Sequence, residues 1–433
     1  MGKKLISLLV TAIIALSAIG CGQEQTPDDK TPQGSSNKLT VWCWDPAFNL
    51  YAMEEAEKVY KKDNPDFELE IVETPWEDIQ TKLTTAASSG DLSTLPDIML
   101  LQDNAFQKNV ISYPDAFVEL TQSGIDYSKF GAAKTAYSVV NNKNYGVPFD
   151  NGAVIGCYRT DVLAEAGYKI EDLTDITWNR FIEIGKDVLA KTGKPLLSNQ
   201  SGESDLIMIM LQSAGASLFD AEGNPIIEDN DELKAVIEIY TELIKSGILI
   251  QVNDWDQYIG TLTNGTVAAT INGCWIMASI QTATDQAEKW AITNMPSLEG
   301  IQGATNYSNN GGSSWAITKN SKNPELAMDF LAKTFAGSVE FYETILPKSG
   351  ALATYLPAAE SNVYEQPQQF FGGEAVYAKI TDFAGKIPRN NTGVYYYEAR
   401  EAVANAVTNI LAGADMASEL KSAQDTVNFT MGR

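Results

Sequence analysis

Histidine is absent from all 433 residues. That excludes Ser-His-Asp and Cys-His catalysis, and every metal site that uses an imidazole ligand. Cysteine is scarce too. Cys21 stands alone near the start, and Cys43, Cys157 and Cys274 lie far apart with no CxxC spacing. Each of these three sits among apolar neighbours and is expected to be a small buried hydrophobe. One disulfide among them would leave an odd thiol. Positive charge is short: 31 Lys and Arg face 56 Asp and Glu, for a formal net charge of −25. So acidic a chain is repelled by nucleic acid and by anionic lipid, and neither is expected as a partner. A neutral ligand suits the balance better than an anionic one. Beyond the N-terminus, no stretch is apolar for the about 20 residues that a membrane-spanning helix needs.

What is present begins with a leader. Lys3 and Lys4 precede a largely apolar run from Leu5 to Ile19, too short to span a bilayer and shaped like a secretory signal peptide. It closes on Ser17-Ala18-Ile19-Gly20-Cys21, which resembles the lipobox of bacterial lipoproteins, with Ala18 where a leucine is usual. The resemblance implies cleavage after Gly20 and acylation of Cys21, whose lipid would hold the chain at the outer face of the cell membrane. Gly22 to Asn37 contains no large apolar residue and is expected to be a flexible tether reaching roughly 20–25 Å.

From Lys38 the pattern is strand, helix, strand, helix, strand. Lys38–Trp44 is β-branched and aromatic. Leu50, Met53, Ala56 and Tyr60 share a helical face, with Asn49 as N-cap and Pro65 past the end. Phe67, Leu69 and Ile71 alternate with acids; Ile79, Leu83 and Ala86 mark a helix ending near Gly90; Asp97–Leu101 is a third strand. This alternation predicts an α/β fold. Later stripes follow at Leu233–Ile244 before Gly247, at Leu326–Leu331 behind Pro324, and at Val403–Leu411 before Gly413.

These segments, in this order, resemble the extracellular solute-binding proteins of carbohydrate ABC importers, the group that includes the maltose-binding proteins. The elements are Leu39-Thr-Val-Trp42, Leu95-Pro-Asp-Ile-Met99, Tyr145-Gly-Val-Pro-Phe-Asp150, Tyr158 to Gly167, Thr177-Trp-Asn-Arg-Phe181, Asn264 to Trp275, Gly311 to Ala327, and Leu346-Pro-Lys-Ser-Gly350. The resemblance implies two α/β lobes joined by three crossings, with ligand in the cleft between them. One lobe would take residues 38–150 and 298–345, the other 151–297 and 346–433. Lobe closure by hinge motion is implied, as are a carbohydrate ligand, the permease subunits of an ABC importer as partners, a monomer and no cofactor.

A neutral sugar offers hydroxyls at its edge and C–H groups on its faces, which suit polar side chains and aromatic rings respectively. Trp44 and Asp45 follow the first strand at its carboxyl end, and Gln102 and Asp103 follow the third, where open α/β sheets bind ligands. Trp76 starts a helix after Pro75. Asp150 and Asn151 fall at the first implied crossing. Trp255 lies in a polar loop, and Trp275 holds the family's recurrent Gly-x-Trp position, the foremost stacking candidate. Gly312, beside Gly311, would let backbone approach a ligand. Tyr307, Lys348 and Arg389 sit in loops near the implied boundaries, and Tyr395-Tyr-Tyr397 either lines the outer cleft or starts the last helix. Against each stands a structural role, in the core for an aromatic or in a solvated loop for a polar residue. Trp42, Trp178 and Trp290 read as core, and Trp315 is open to either reading. The expected ligand is an oligosaccharide, with plant-derived xylo- or manno-oligosaccharides as candidates. The rivals are a glycoside hydrolase, which needs a carboxyl pair about 5–10 Å apart, the same fold with another ligand such as a polyamine, and a surface adhesin or chemosensory relay.

Overall fold

The computed structural model describes residues 37–433. The leader, Cys21 and the tether as far as residue 36 lie outside the described residues. Strand β1 (Lys38–Cys43) is flanked on both sides by parallel partners, β2 (Glu68–Glu73) and β3 (Ile98–Gln102). The helices Tyr51–Lys61 and Trp76–Ser89 connect them, the second stopping at Gly90 with φ +72°. Entry to the first helix differs from the sequence expectation. A π-helical turn, Pro46–Leu50, precedes it, and its cap is Asp45, whose carboxylate accepts the N–H groups of Ala47 at 2.9 Å and Phe48 at 3.1 Å. Asn49 is buried inside that turn, where its side-chain oxygen accepts the N–H groups of Trp44 and Asp45, both at 3.0 Å. The added turn moves the unsatisfied N–H groups upstream, beyond the reach of Asn49.

After a short hairpin, β4 (Val139–Val140) with β5 (Lys143–Asn144), comes the 14-residue strand β6 (Gly146–Arg159). Then follow β7 (Leu197–Gln200) and β8 (Leu249–Val252), which pair in parallel, β9 (Ala269–Gly273), β10 (Trp290–Thr293) and β11 (Asn309–Ile317). The large sheet has the order β10-β6-β11-β3-β1-β2, with β9 also on β6. The first half of β6 pairs with β11, and its second half with β9 and β10.

The cores follow that division. Val147 and Phe149 of β6 join Leu39, Val41, Ile98, Leu100, Trp315 and Ile317 in one core. Ile79, Leu83, Met99, Leu101, Phe106 and Ala316 form a second on the other face of β3 and β11. Further along β6 the alternation serves different bodies: Val154 and Tyr158 pack with Trp178, Phe181, Tyr240, Val403 and Val427, whereas Ala153, Ile155 and Cys157 pack with Trp290, Tyr364 and Tyr377. One strand thus leaves one pair of cores and enters another, which makes the fold a two-lobed α/β structure. Trp178, Trp290 and Trp315 are all buried, and Cys43, Cys157 and Cys274 are buried and unpaired.

The stripe from Leu233 lies on the helix Asp231–Lys245, capped by Asn230, and Pro324 opens Pro324–Lys333. Tyr396–Leu411 packs against a further helix, Met416–Thr430, that periodicity alone did not reveal. Only Leu420, Ala423 and Val427 of that helix are buried, and Phe429 is 84% exposed, so its apolar stripe is thin and partly contradicted. Among the described residues no helix is long and apolar enough to cross a membrane.

Candidate functional site

The pairing of β11 with β6 slips between Asn309 and Gly312. There Gly311 and Gly312 adopt φ +92° and +104°, angles that L side chains rarely take. Space forbids side chains as well. A Cβ on Gly312 would stand 2.5 Å from a carboxylate oxygen of Asp103, and one on Gly152 only 2.0 Å from the Asn310 carbonyl. Beside the slip lies a buried polar cluster. Lys134 pairs with Asp103 and donates to the Ser313 carbonyl at 2.8 Å. Ser314 Oγ donates to Asp103 at 2.9 Å, and Asp150 accepts the Ser313 N–H at 2.9 Å together with its hydroxyl. Burial pushes the Asp103 carboxyl up despite Lys134, and pushes Asp150 up to about 6 against the pull of Lys134 and Ser313.

A short way along β11, Asn310 organises a second network. Its carbonyl accepts the indole N–H of Trp275 at 2.9 Å. Its amide donates to Asn272 at 2.8 Å and reaches Asp205, at the start of the helix Asp205–Ser213, at 3.4 Å. Asn272 donates to the Tyr258 hydroxyl at 2.9 Å, which shares a 2.7 Å hydrogen bond with Thr270. Trp255, the first residue of Trp255–Thr263, lies 5.7 Å from Trp275 and 5.3 Å from Tyr258 between ring centroids. Trp255, Tyr258, Asn272 and Asp205 line a recess open to solvent, with Asn199, Gln200 and Glu203. Arg400 pairs with Asp205 and lies 3.8 Å from Glu203, its guanidinium over the rings of Tyr397 at 5.3 Å and Tyr396 at 5.8 Å. Burial and then Asp205 raise the Glu203 carboxyl.

Tyr397 carries this network to the other lobe. Its ring is 6.1 Å from Trp76, which stands edge-on to Trp44 at 5.5 Å, and its hydroxyl donates to Gln102. One residue on, Glu398 pairs with Lys108 of the helix Asp103–Ser112. A band of contacts therefore runs Trp44, Trp76, Tyr397, then through Arg400, Asp205 and Asn310 to Trp275 and to Trp255, which lines the recess.

Of the residues singled out in the sequence, Trp44, Trp76, Gln102, Trp255 and Trp275 join this band. Asp103, Asp150 and Gly312 meet one another in the buried cluster, and Asn151 pairs with Gly312 across the strands. Asp45 spends its carboxylate on the helix cap, and burial raises that carboxyl against the pull of the two N–H groups. Tyr307 packs on Phe383 at 5.6 Å under Lys386. Lys348 lies not in a loop but in the last turn of the helix Val339–Ser349, exposed and covering the Tyr51 ring at 3.9 Å, and Arg389 is exposed in the loop before Tyr396–Leu411. Sequence reasoning missed Lys134, Glu203, Asp205, Asn272, Asn310 and Arg400. Arg400 had a signal, because it follows Tyr396 and Tyr397 at the spacings that share a helical face. The others are brought in by partners 31 or more positions away.

The description of the bacterial extracellular solute-binding protein family matches residues 55–372. A lactose-binding protein of Rhizobium radiobacter is 36% identical over 423 residues, 98% of each chain. An arabinooligosaccharide-binding protein of Halalkalibacterium halodurans is 25% identical over 393 residues, 87% of this chain and 86% of that one. Among solved structures, the binding protein associated with an ABC transporter of B. animalis subsp. lactis, in complex with β-1,6-galactobiose, superposes with a TM-score of 0.79. It is 18% identical and covers 92% of this chain and 98% of its own. That likeness shows the two-lobed fold.

Proposed function

The chain belongs to the bacterial extracellular solute-binding proteins, and we propose that its solute is a short neutral oligosaccharide, held between the lobes and delivered to the permease subunits of an ABC importer. The observation that carries this reading is two groups of rings, Trp44, Trp76 and Tyr397 on one side and Trp255 and Trp275 on the other, linked through Arg400 and Asp205 beside a recess lined by Asn199, Gln200, Asn272 and Asp205. Ring faces suit the C–H faces of a pyranose, and the amides and the ion pair suit its hydroxyls. The end-to-end lactose-binding relative puts lactose and other galactosides at the head of the candidates, ahead of xylo- and manno-oligosaccharides.

The three crossings fall, in this reading, at Asp150–Ala153, at Asn309–Gly312 and between Ala358, which packs with Val147 and Phe149, and Tyr364, which packs with Cys157 and Trp290. Leu298, which packs in the core of Trp178 and Tyr240, favours residue 309 over residue 298 for the second. The lobes close around the sugar by hinge motion there. Glu203 and Asp205 beside the rings support a second reading, a polyamine ligand.

Calorimetric titration of the purified chain separates these. Lactose, β-1,6-galactobiose, maltose, arabinobiose, xylobiose and mannobiose are titrated beside spermidine. Saturation by a sugar alone supports the reading, and saturation by spermidine alone replaces it. Sugar recovered intact after prolonged incubation is expected; reducing ends that accumulate in proportion to protein would move the chain to the hydrolases. Anchoring through an acylated Cys21 belongs to the same proposal. Cys21→Ala should release the protein to the medium with sugar binding retained, and unchanged membrane fractionation would remove the anchor.

A further inference from the structure

Two carboxylates line the recess, those of Glu203 and Asp205, and the cation set against them is Arg400. That cation is already engaged. Its guanidinium is bound by Asp205, lies 3.8 Å from Glu203, and has its Nε 3.4 Å from Ser204 Oγ. Only 12% of the Arg400 side chain is exposed, against 48% for Glu203 and 36% for Asp205. The positive charge thus sits behind two negative ones, and the wall that a ligand meets is net negative. Glu77, beside Trp76, and Glu401, one residue past Arg400, add to the negative field at Glu203. Lys108, which lies in the field of Glu401, is committed to Glu398. The other polar lining groups, Ser198, Asn199, Gln200, Asn272 and Tyr258, are uncharged amides and hydroxyls.

Resting on the sugar reading above, we propose that this recess sorts saccharides by charge, with Glu203 as the determinant: neutral units and units bearing a protonated amine enter, and units bearing a carboxylate or a phosphate are rejected. A uronate would ordinarily be drawn to an arginine, which can bind a carboxylate through two parallel hydrogen bonds. Here it would have to displace Asp205 from Arg400 and approach Glu203 at the same time. An ammonium group instead finds the half-exposed Glu203 carboxylate, whose own charge is disfavoured by burial and by Asp205 until a cation arrives. Interactions of this kind a few ångströms apart in a partly solvated recess alter affinity by about 10-fold or more.

The test uses lactose and β-1,6-galactobiose, each in three forms differing at C6 of one ring, and each ring in turn: the alcohol, the primary amine and the uronate. Affinities are measured by calorimetry at pH 7.5, at low salt and in about 0.5 M sodium chloride. At one ring at least, the amine should bind as well as the alcohol or better, and the uronate about 10-fold or more weakly. That spread should narrow in salt while the alcohol changes little. Glu203→Gln, with its folding checked by thermal melting, should shrink the amine-to-uronate ratio about 10-fold. The ratio is the readout, because a loss of affinity common to all three forms would report only a damaged site. A uronate bound as tightly as the alcohol at both rings, or a ratio untouched by Glu203→Gln, overturns the charge inference and leaves the sugar reading standing. Binding of neither disaccharide in any form overturns both.

Discussion

Replacing Lys134 by methionine removes the ammonium group from the cluster at the strand slip and keeps most of the side-chain volume. Lys134 is 7% exposed and Asp103 4%. In the native protein the ammonium binds Asp103 and donates to the Ser313 carbonyl at 2.8 Å. Without it, Asp103 retains the Ser314 hydroxyl at 2.9 Å, with the like charge of Asp150 nearby. Breaking a buried pair from one side costs about 3–5 kcal/mol, and loss of the Lys134 hydrogen bond to the Ser313 carbonyl costs about 1 kcal/mol more. The variant should therefore lose about 4–6 kcal/mol at pH 7.5 by urea denaturation, with little change in the denaturant slope.

The sign of the pH dependence follows from Asp103. Burial already holds its carboxyl above the usual range, and loss of Lys134 pushes it higher. As the pH falls, the folded variant takes up a proton before the unfolded chain does, so the deficit should shrink between pH 7.5 and pH 5. Asp103→Asn added to the variant should restore much of the stability at pH 7.5. A loss below about 1 kcal/mol, or a deficit that stays constant with pH, refutes the reasoning.

Gly312→Ala places a Cβ 2.5 Å from Asp103 at φ +104° and should cost about 2 kcal/mol or more, read as a lowered melting temperature; a neutral result would show that the slip yields easily. For Asp150, a folded value of about 6 lies above the unfolded value of about 3.9, so its contribution to stability is largest at low pH and is lost as the pH rises through 6. Relative to Asp150→Asn, the native protein should gain about 2 kcal/mol between pH 7.5 and pH 4.5, and denaturation curves showing a constant difference would contradict that. Trp255→Ala opens the recess wall and should weaken sugar binding about 10-fold with a small melting shift. Trp178→Ala, fully buried, should instead cost about 3–5 kcal/mol of stability and leave the affinity of the folded fraction intact.

The strand–helix alternation from Lys38 to Leu101 was legible because each element is amphipathic at its own period and is punctuated by Pro65 and Gly90. The π-turn at Pro46–Leu50 was not, since Asp45 and Asn49 are both good caps and only their hydrogen bonds, Asp45 to the N–H groups of Ala47 and Phe48 and Asn49 to those of Trp44 and Asp45, decide between them. Met416–Thr430 escaped because three buried positions in 15 residues make a faint stripe. At the site, the aromatics were visible as residue types, and the structure sets them in two pairs, Trp44 with Trp76 and Trp255 with Trp275. Their polar partners were hidden by distance along the chain. Asp205 meets Arg400 across 195 positions, and Asp103 meets Ser314 across 211. A carboxylate after a strand reads the same whether it faces a ligand or, like Asp103, a buried lysine.

The most direct test of the account is one titration of lactose into the purified chain, followed by calorimetry and by tryptophan fluorescence on the same sample. One-to-one, saturable binding that perturbs the emission of Trp255 and Trp275, and that Trp255→Ala weakens while Trp178→Ala does not, is the predicted result. Absence of binding by lactose and by every other sugar of the panel, in a chain that melts cooperatively, would contradict it.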